Sequence, residues 1–242
     1  WNLTKRCNLN CDHCYLDAEF RGGLKTDELN TEECFKVIDQ IAEVNPNAFL
    51  ILTGGEPLLR PDIYEIIRYA ADRKFMVVLG TNGTMINRVN AEKIKAAGAH
   101  GVGISIDSMN PDKHNKFRGV DKAWELSMDA FDILNEVGVD FLVQMSVSDM
   151  NYKEIPEVVE FTEKIGAIAF NLYFLVCTGR GQGNTDISNA AYEEALKMLY
   201  EQQMKYKGKL MINSKCAPQY KRVVYENDPE SVYTRTYSGG CP

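Results

Sequence analysis

Histidine is scarce in this chain, with three among 242 residues, so imidazole acid–base chemistry has few candidate groups. Basic blocks are missing as well. The 27 lysines and arginines stand against 34 acidic residues, for a net charge of −7, and never gather into a run. That leaves no electrostatic footprint for a phosphate backbone and argues against a nucleic-acid partner. No apolar stretch approaches the ~18 residues of a membrane span; no charged-then-apolar leader is expected from the opening residues, and a start directly on an expected strand implies further residues ahead of Trp1. We expect a soluble, cytoplasmic chain with no membrane partner. Low-complexity linkers and long internal repeats are also lacking, so composition marks no domain boundary.

What is present suits one large α/β domain: 45% of residues are hydrophobic and 25% charged. Short β-rich runs at 48–52, 75–80, 101–106, 140–147 and 167–176 are nearly continuous in Val, Ile, Leu and Phe, as strands of a covered parallel sheet should be. Helix-period segments alternate with them at 30–44, 61–73, 89–98, 122–138, 152–166 and 190–206. Thr31, with Glu33 nearby, and Pro61 read as helix starts; Gly98, Gly138 and Gly166 read as C-terminal caps. With residues 1–6 as a first strand, the pattern is βα six times, a partial (β/α)6 TIM-like barrel over 1–207. Ligands of such folds collect at the carboxyl ends of the strands. Residues 208–242 break the pattern and read as the start of an appended module, truncated at Pro242.

Seven cysteines sit at 7, 11, 14, 34, 177, 216 and 241. The odd count and the close spacing of the first three suit a metal in a reducing compartment better than a disulfide scaffold. Cys7, Cys11 and Cys14 form C-x3-C-x2-C on the loop after the expected first strand. Three soft thiolates facing one centre select zinc or iron–sulfur and leave one position open. Structural zinc wants four closed ligands, and His13 is poorly placed to be the fourth beside Cys14; catalytic zinc on three thiolates stays open. The second signal, LTGGEPLLRP at 52–61, ends the next strand. Its glycines admit close backbone approach, Glu56 adds a fixed negative charge and Pro57 holds the turn, a combination that suits an ammonium group. Read alone, it is equally an ordinary turn before a helix.

Together these two motifs, each after a strand of a βα chain, resemble the radical S-adenosylmethionine (SAM) enzymes. The resemblance implies that Cys7, Cys11 and Cys14 hold three irons of a 4Fe–4S cluster, whose open fourth iron chelates SAM. Gly54, Gly55 and Glu56 would then line the methionyl amino group, His13 and Tyr15 would flank the adenine, Ser105 would bond the ribose and Arg118 would pair with the carboxylate. Thr81 and Asn82, in GTNG at 80–83, would turn toward the pocket, and Gln144 lies on the fifth expected strand with its face undecided. The chemistry implied is one-electron cleavage of SAM to a 5′-deoxyadenosyl radical, which takes a substrate hydrogen and asks few acid–base groups of the protein.

Cys216 in KCAP and Cys241 in GGCP resemble the opening of a SPASM or twitch extension, whose cysteines bind auxiliary iron–sulfur clusters; Gly239 and Gly240 abut Cys241, which departs from the usual spacing. Cys34, on an apolar helix face, reads as inert core, and Cys177 as a buried structural thiol. TGRGQG at 178–183 reads as a flexible, substrate-facing loop. FLVCTGRG, KCAP and GGCP together resemble the subgroup that removes or decarboxylates tetrapyrrole side chains in haem-type biosynthesis. That resemblance implies a tetrapyrrole substrate and an electron donor such as flavodoxin or ferredoxin. A peptide-modifying maturase with a similar extension is the alternative enzyme, and a non-catalytic metal-binding scaffold the alternative of another class.

Overall fold

The computed structural model describes residues 1–23, 27–182 and 187–235. Its elements begin with β1 (Arg6–Cys7), β2 (Glu19–Phe20), α1 (Thr31–Val44), β3 (Phe49–Leu52), α2 (Ile63–Asp72), β4 (Met76–Thr81), α3 (Arg88–Ala96) and β5 (Gly101–Ser105). They continue with α4 (Pro111–Arg118), α5 (Ala123–Val137), β6 (Phe141–Val147), α6 (Ile155–Lys164), β7 (Ala169–Phe174), α7 (Asn189–Lys205), β8 (Met211–Lys215), α8 (Tyr220–Asn227) and α9 (Val232–Arg235). Strands β3 to β8 follow chain order in a six-stranded sheet, and the pairs β3–β4, β4–β5, β6–β7 and β7–β8 are parallel.

Contacts divide the chain into two units. The first comprises Trp1–Cys11, Leu16–Ile104 and Arg118–Phe141. Here Leu50 pairs with Val77 and Leu79 with Val102. Ile38 of α1, Ile63, Ile66 and Ile67 of α2, and Ile94 of α3 are wholly buried, as expected of helices that bring one apolar stripe to a sheet face. A capping box starts α1: the Asn30 side chain accepts the Glu33 N–H at 3.0 Å, and Glu33 accepts the Asn30 N–H at 2.9 Å.

The second unit comprises Asp12–Tyr15, Ser105–Phe117 and Leu142–Pro242. Val143 pairs with Phe170 and Leu172 with Ser214. Along β6 the buried residues Val143, Met145 and Val147 alternate with half-buried Gln144 and Ser146, the period-two signature of a strand with one drier face. Gln144 therefore lies on the wetter face, where its amide reaches the Tyr173 hydroxyl at 3.5 Å.

Several expectations change. Residues 1–6 are not one of the six strands: Asn2 makes an isolated bridge to Thr53, and Arg6–Cys7 pairs instead with Glu19–Phe20. The sixth strand is Met211–Lys215, which pairs with β7, so the boundary expected at 207 falls inside the sheet. Helix α1 does start at Thr31, behind Asn30 as its N-cap, whereas α2 starts at Ile63 after Asp62, beyond Pro61. Gly138 does cap α5 in the left-handed region, at φ 72°. Helix α4 was missed because PDKHNKFR carries almost no apolar periodicity. Among the described residues, no helix is long and apolar enough to cross a membrane.

Candidate active site

In the first unit, the segment leading into the first cysteine lies along the Gly-Gly-Glu motif. Gly55 N–H donates to Thr4 C=O at 2.7 Å, and Glu56 N–H to Arg6 C=O at 2.8 Å. A Cβ on Gly54 would stand 2.5 Å from the Thr4 oxygen, and one on Gly55 would stand 2.2 Å from the Arg6 oxygen. Neither backbone atom can swing aside, so the glycines are required by the approach of the two chain segments. The sequence reading also gave them close approach to a ligand. The Arg60 guanidinium, which that reading passed over, supports the same segment by donating to Leu3 C=O and Leu29 C=O, each at 3.0 Å.

Glu56 is wholly buried. Its carboxylate accepts the Leu58 N–H at 3.0 Å, the Asn82 N–H at 3.0 Å and the Thr81 hydroxyl at 2.8 Å. Burial pushes its carboxyl above the usual range, with those three donors working in the opposite direction. Glu56 thus clamps the turn after β3 to the end of β4.

Asn82 continues that clamp into the cysteine loop. Its amide donates to Asn8 Oδ1 at 2.8 Å, and its carbonyl oxygen Oδ1 accepts from the Thr84 N–H and hydroxyl at 2.9 and 2.7 Å. Asn8 in turn donates to the Thr84 hydroxyl at 2.7 Å, which closes a three-residue ring. The Ser127 hydroxyl donates to the Asn82 main-chain oxygen at 2.8 Å. Asn82 had been expected to face the pocket, and Asn8 and Thr84 gave no signal at all, because a lone Asn or Thr in a loop has no periodicity to read. Further along, Asn10 N–H donates to Arg118 C=O at 3.1 Å.

Cys7 and Cys11 are buried and Cys14 is half-buried. The Leu9 N–H lies 3.4 Å from Cys7 Sγ, and Arg118 Nη1 lies 3.8 Å from Cys11 Sγ. Both contacts place a donor on sulfur, the arrangement that favours a thiolate and tunes an iron–sulfur ligand. Among the described residues, no group of three or more His, Cys, Asp or Glu side chains is gathered tightly enough to hold one metal ion. The donor set itself, three soft thiols on a short loop with donors already on two sulfurs, is one that an iron–sulfur cluster takes.

In the second unit, His13 is buried and stacks on Phe117, ring centroids 4.1 Å apart and 8° from coplanar. Asp12 N–H donates to Phe117 C=O at 3.1 Å, and Arg180 N–H to Cys14 C=O at 3.0 Å. Tyr15 is exposed and Ser105 half-buried. Asp107, two residues beyond Ser105 and not singled out from sequence, is buried; its Oδ1 accepts the Ser146 N–H at 2.9 Å. Cys216 follows β8 in the left-handed region at φ 58° and is half-buried, as is Cys177. Cys241 lies outside the described residues.

The model of the radical SAM superfamily matches residues 1–162. The chain belongs to this superfamily. It is accordingly an enzyme that uses SAM and a 4Fe–4S cluster. Over 249 aligned residues it is 39% identical to the AdoMet-dependent heme synthase of Methanosarcina barkeri, an alignment covering 100% of this chain and 70% of that protein. It is 35% identical over 232 residues to the AdoMet-dependent heme synthase of Nitratidesulfovibrio vulgaris, covering 95% of this chain and 62% of that protein. Among solved structures, it superposes on Streptococcus suis SuiB bound to precursor peptide SuiA with a TM-score of 0.77 at 17% identity, covering 98% of this chain and 54% of that one. That last likeness shows the fold, a radical SAM partial barrel.

Proposed function

We propose that this radical SAM enzyme acts on a tetrapyrrole, removing or decarboxylating a side chain in the making of a haem-type cofactor. The substrate class rests on the identity to AdoMet-dependent heme synthases along the whole chain. The observation that carries the site is the pairing of the Gly-Gly-Glu segment with residues 4–6, which lead directly into Cys7. Cys7, Cys11 and Cys14 would hold the cluster. Gly54 and Gly55 would offer main-chain oxygens to the amino group of SAM, while Arg118 would face its carboxylate. His13, Tyr15 and Ser105 are the candidates for the nucleoside. When bound, cluster and SAM supply hydrogen-atom abstraction through one-electron cleavage of the sulfonium.

What the chain contributes is orientation and dryness. Glu56 fixes the turn that presents the main chain of Gly54 and Gly55. The ring of Asn8, Asn82 and Thr84 fixes the first part of the cysteine loop. Arg118 keeps a delocalised cation beside Cys11, a charge suited to a carboxylate because its planar fork can donate twice. Flavodoxin or ferredoxin is the proposed electron donor, and Cys216 with Cys241 the proposed start of an auxiliary-cluster set.

Anaerobically purified protein, given SAM, dithionite and a panel of iron and metal-free tetrapyrroles, should release 5′-deoxyadenosine and yield a product that has lost carbon dioxide or an acetate group, read by mass spectrometry. Deoxyadenosine without any tetrapyrrole product would remove the substrate class. Protein that holds zinc, or cleaves no SAM with an intact cluster, would favour the scaffold. A variant with Cys7, Cys11 and Cys14 all changed to alanine should keep iron–sulfur absorbance only if auxiliary ligands exist.

A further inference from the structure

The segment after β7 was expected to be a flexible loop. Its described part is instead a short 3-10 turn over Gly179–Gln182, with Gly181 buried. The turn closes on itself: Gly181 N–H donates to Thr178 C=O at 3.1 Å, and Thr178 N–H to Val176 C=O at 2.7 Å. It also closes on the third cysteine of the amino-terminal motif, within the same unit of the molecule.

Two independent features make that contact specific. The first is the hydrogen bond from Arg180 N–H to Cys14 C=O at 3.0 Å. The second is the fit of Gly179, which sits at φ 59°; a Cβ there would lie 2.4 Å from the Cys14 oxygen and 2.6 Å from the Tyr15 oxygen. Those obstructing atoms are main chain, so no rotamer change relieves the clash, and the left-handed φ penalises a side chain in any case. Nothing but glycine fits while the contact is kept. On the other side of Cys14, Asp12 and His13 are held by the carbonyl and ring of Phe117. The Cys14 backbone is therefore fixed before and after the thiol, and a fixed backbone restricts the directions in which a cysteine side chain can point.

We propose that Gly179 and the main chain of Arg180 are positioning residues for the Cys14 thiolate, orienting it as a cluster ligand. The proposal rests on the assignment of Cys14 to the cluster. Because the bond comes from the peptide N–H, the Arg180 side chain is dispensable to it and the amide is not. This separates three variants that sequence alone would treat alike. Arg180→Ala keeps the N–H. Arg180→Pro deletes it. Gly179→Ala keeps it but fills the space that the Cys14 and Tyr15 oxygens occupy.

The test measures iron retained against a chelator after anaerobic reconstitution, together with the electron paramagnetic resonance spectrum of the reduced cluster with and without SAM. Outer-shell partners of metal ligands typically cost 10–100-fold in affinity when removed, so Gly179→Ala and Arg180→Pro should each lose about ten-fold or more in iron retention, with a changed spectrum. Arg180→Ala, which keeps the amide, should retain clearly more iron than Arg180→Pro. Far-UV circular dichroism identifies any variant that has simply unfolded. Should both damaging variants unfold, hydrogen exchange on the cluster-loaded wild type decides: the Arg180 amide should be protected, and exchange at the free-peptide rate would overturn the proposal. Folded Gly179→Ala and Arg180→Pro with wild-type retention and spectrum would overturn it too, leaving the cluster assignment intact. If wild type itself takes up no cluster, the assignment of Cys14 fails and this proposal falls with it.

Discussion

The two halves of the cysteine loop are held by different means. From Cys7 to Cys11, in the first unit, side-chain ties from Asn8 to Asn82 and Thr84 stand beside main-chain bonds from Arg21 N–H to Cys7 C=O and from Asn10 N–H to Arg118 C=O. From Asp12 to Tyr15, in the second, the ties run through the peptide backbone and one stacked ring: Phe117 C=O to Asp12, Arg180 N–H to Cys14, and His13 on Phe117. Side-chain ties can be cut one at a time by ordinary substitution. Main-chain ties respond only to glycine and proline changes, so a conventional alanine scan would see the Asn8 ring and the His13–Phe117 stack but miss the bond from Arg180 to Cys14.

The largest effect lies at a sulfur. Cys11→Ala should abolish 5′-deoxyadenosine release while circular dichroism still reports a folded chain; residual turnover at a wild-type rate would remove the cluster from this loop. Next comes the side-chain half. Asn82→Ala removes the partner of half-buried Asn8 and Thr84, and a hydrogen bond lost there costs about 0.5–1.5 kcal/mol, measurable as a lower urea midpoint. A loss within experimental error would mean that the ring contributes no rigidity.

Glu56 gives a pH test of the same half. Burial raises its carboxyl pKa above the ordinary value of 4.5. Between that value and the raised one, the folded state retains a proton that the unfolded chain has shed, so stability falls as pH rises through the interval. Glu56→Gln preserves the shape without the charge and should flatten that fall. Parallel slopes for the two proteins, from urea titrations at successive pH values, would show that the site is ionised without penalty.

The smallest effect belongs to the backbone-held half. Phe117→Leu removes the stack under His13, and aromatic pairs contribute about 0.5–1.5 kcal/mol beyond the area they bury. A shift in unfolding midpoint far above that range would give the ring more weight than the main-chain bonds beside it.

Much of the architecture could be read from period alone. The strands β3 to β7 are short, mainly apolar runs, and all six expected helices exist. The sixth sheet strand was legible as a short strand but not as a member of the sheet, because MINSK, two apolar residues followed by three polar ones, lacks the apolar run of its neighbours and reads as part of an appended module. Of the site, the cysteines and the GGEP turn were visible as motifs, yet their supports were not. A motif reports residue types at a spacing, whereas Asn8 with Asn82 is a pairing 74 positions apart that no local pattern encodes. Glu56 shows the converse. Its position was found, but its burial and its three donors were not, because a carboxylate's burial depends on what the fold packs around it.

The pairing of β8 with β7 has a practical consequence for anyone trimming this polypeptide. Ending it at residue 207, where the βα pattern fades, would tear Met211–Lys215 from its neighbour and leave the peptide groups of Ala169–Phe174 facing solvent. A bare, largely apolar margin of that kind invites pairing with another molecule. Such a fragment would be expected to clump rather than give a minimal catalytic unit.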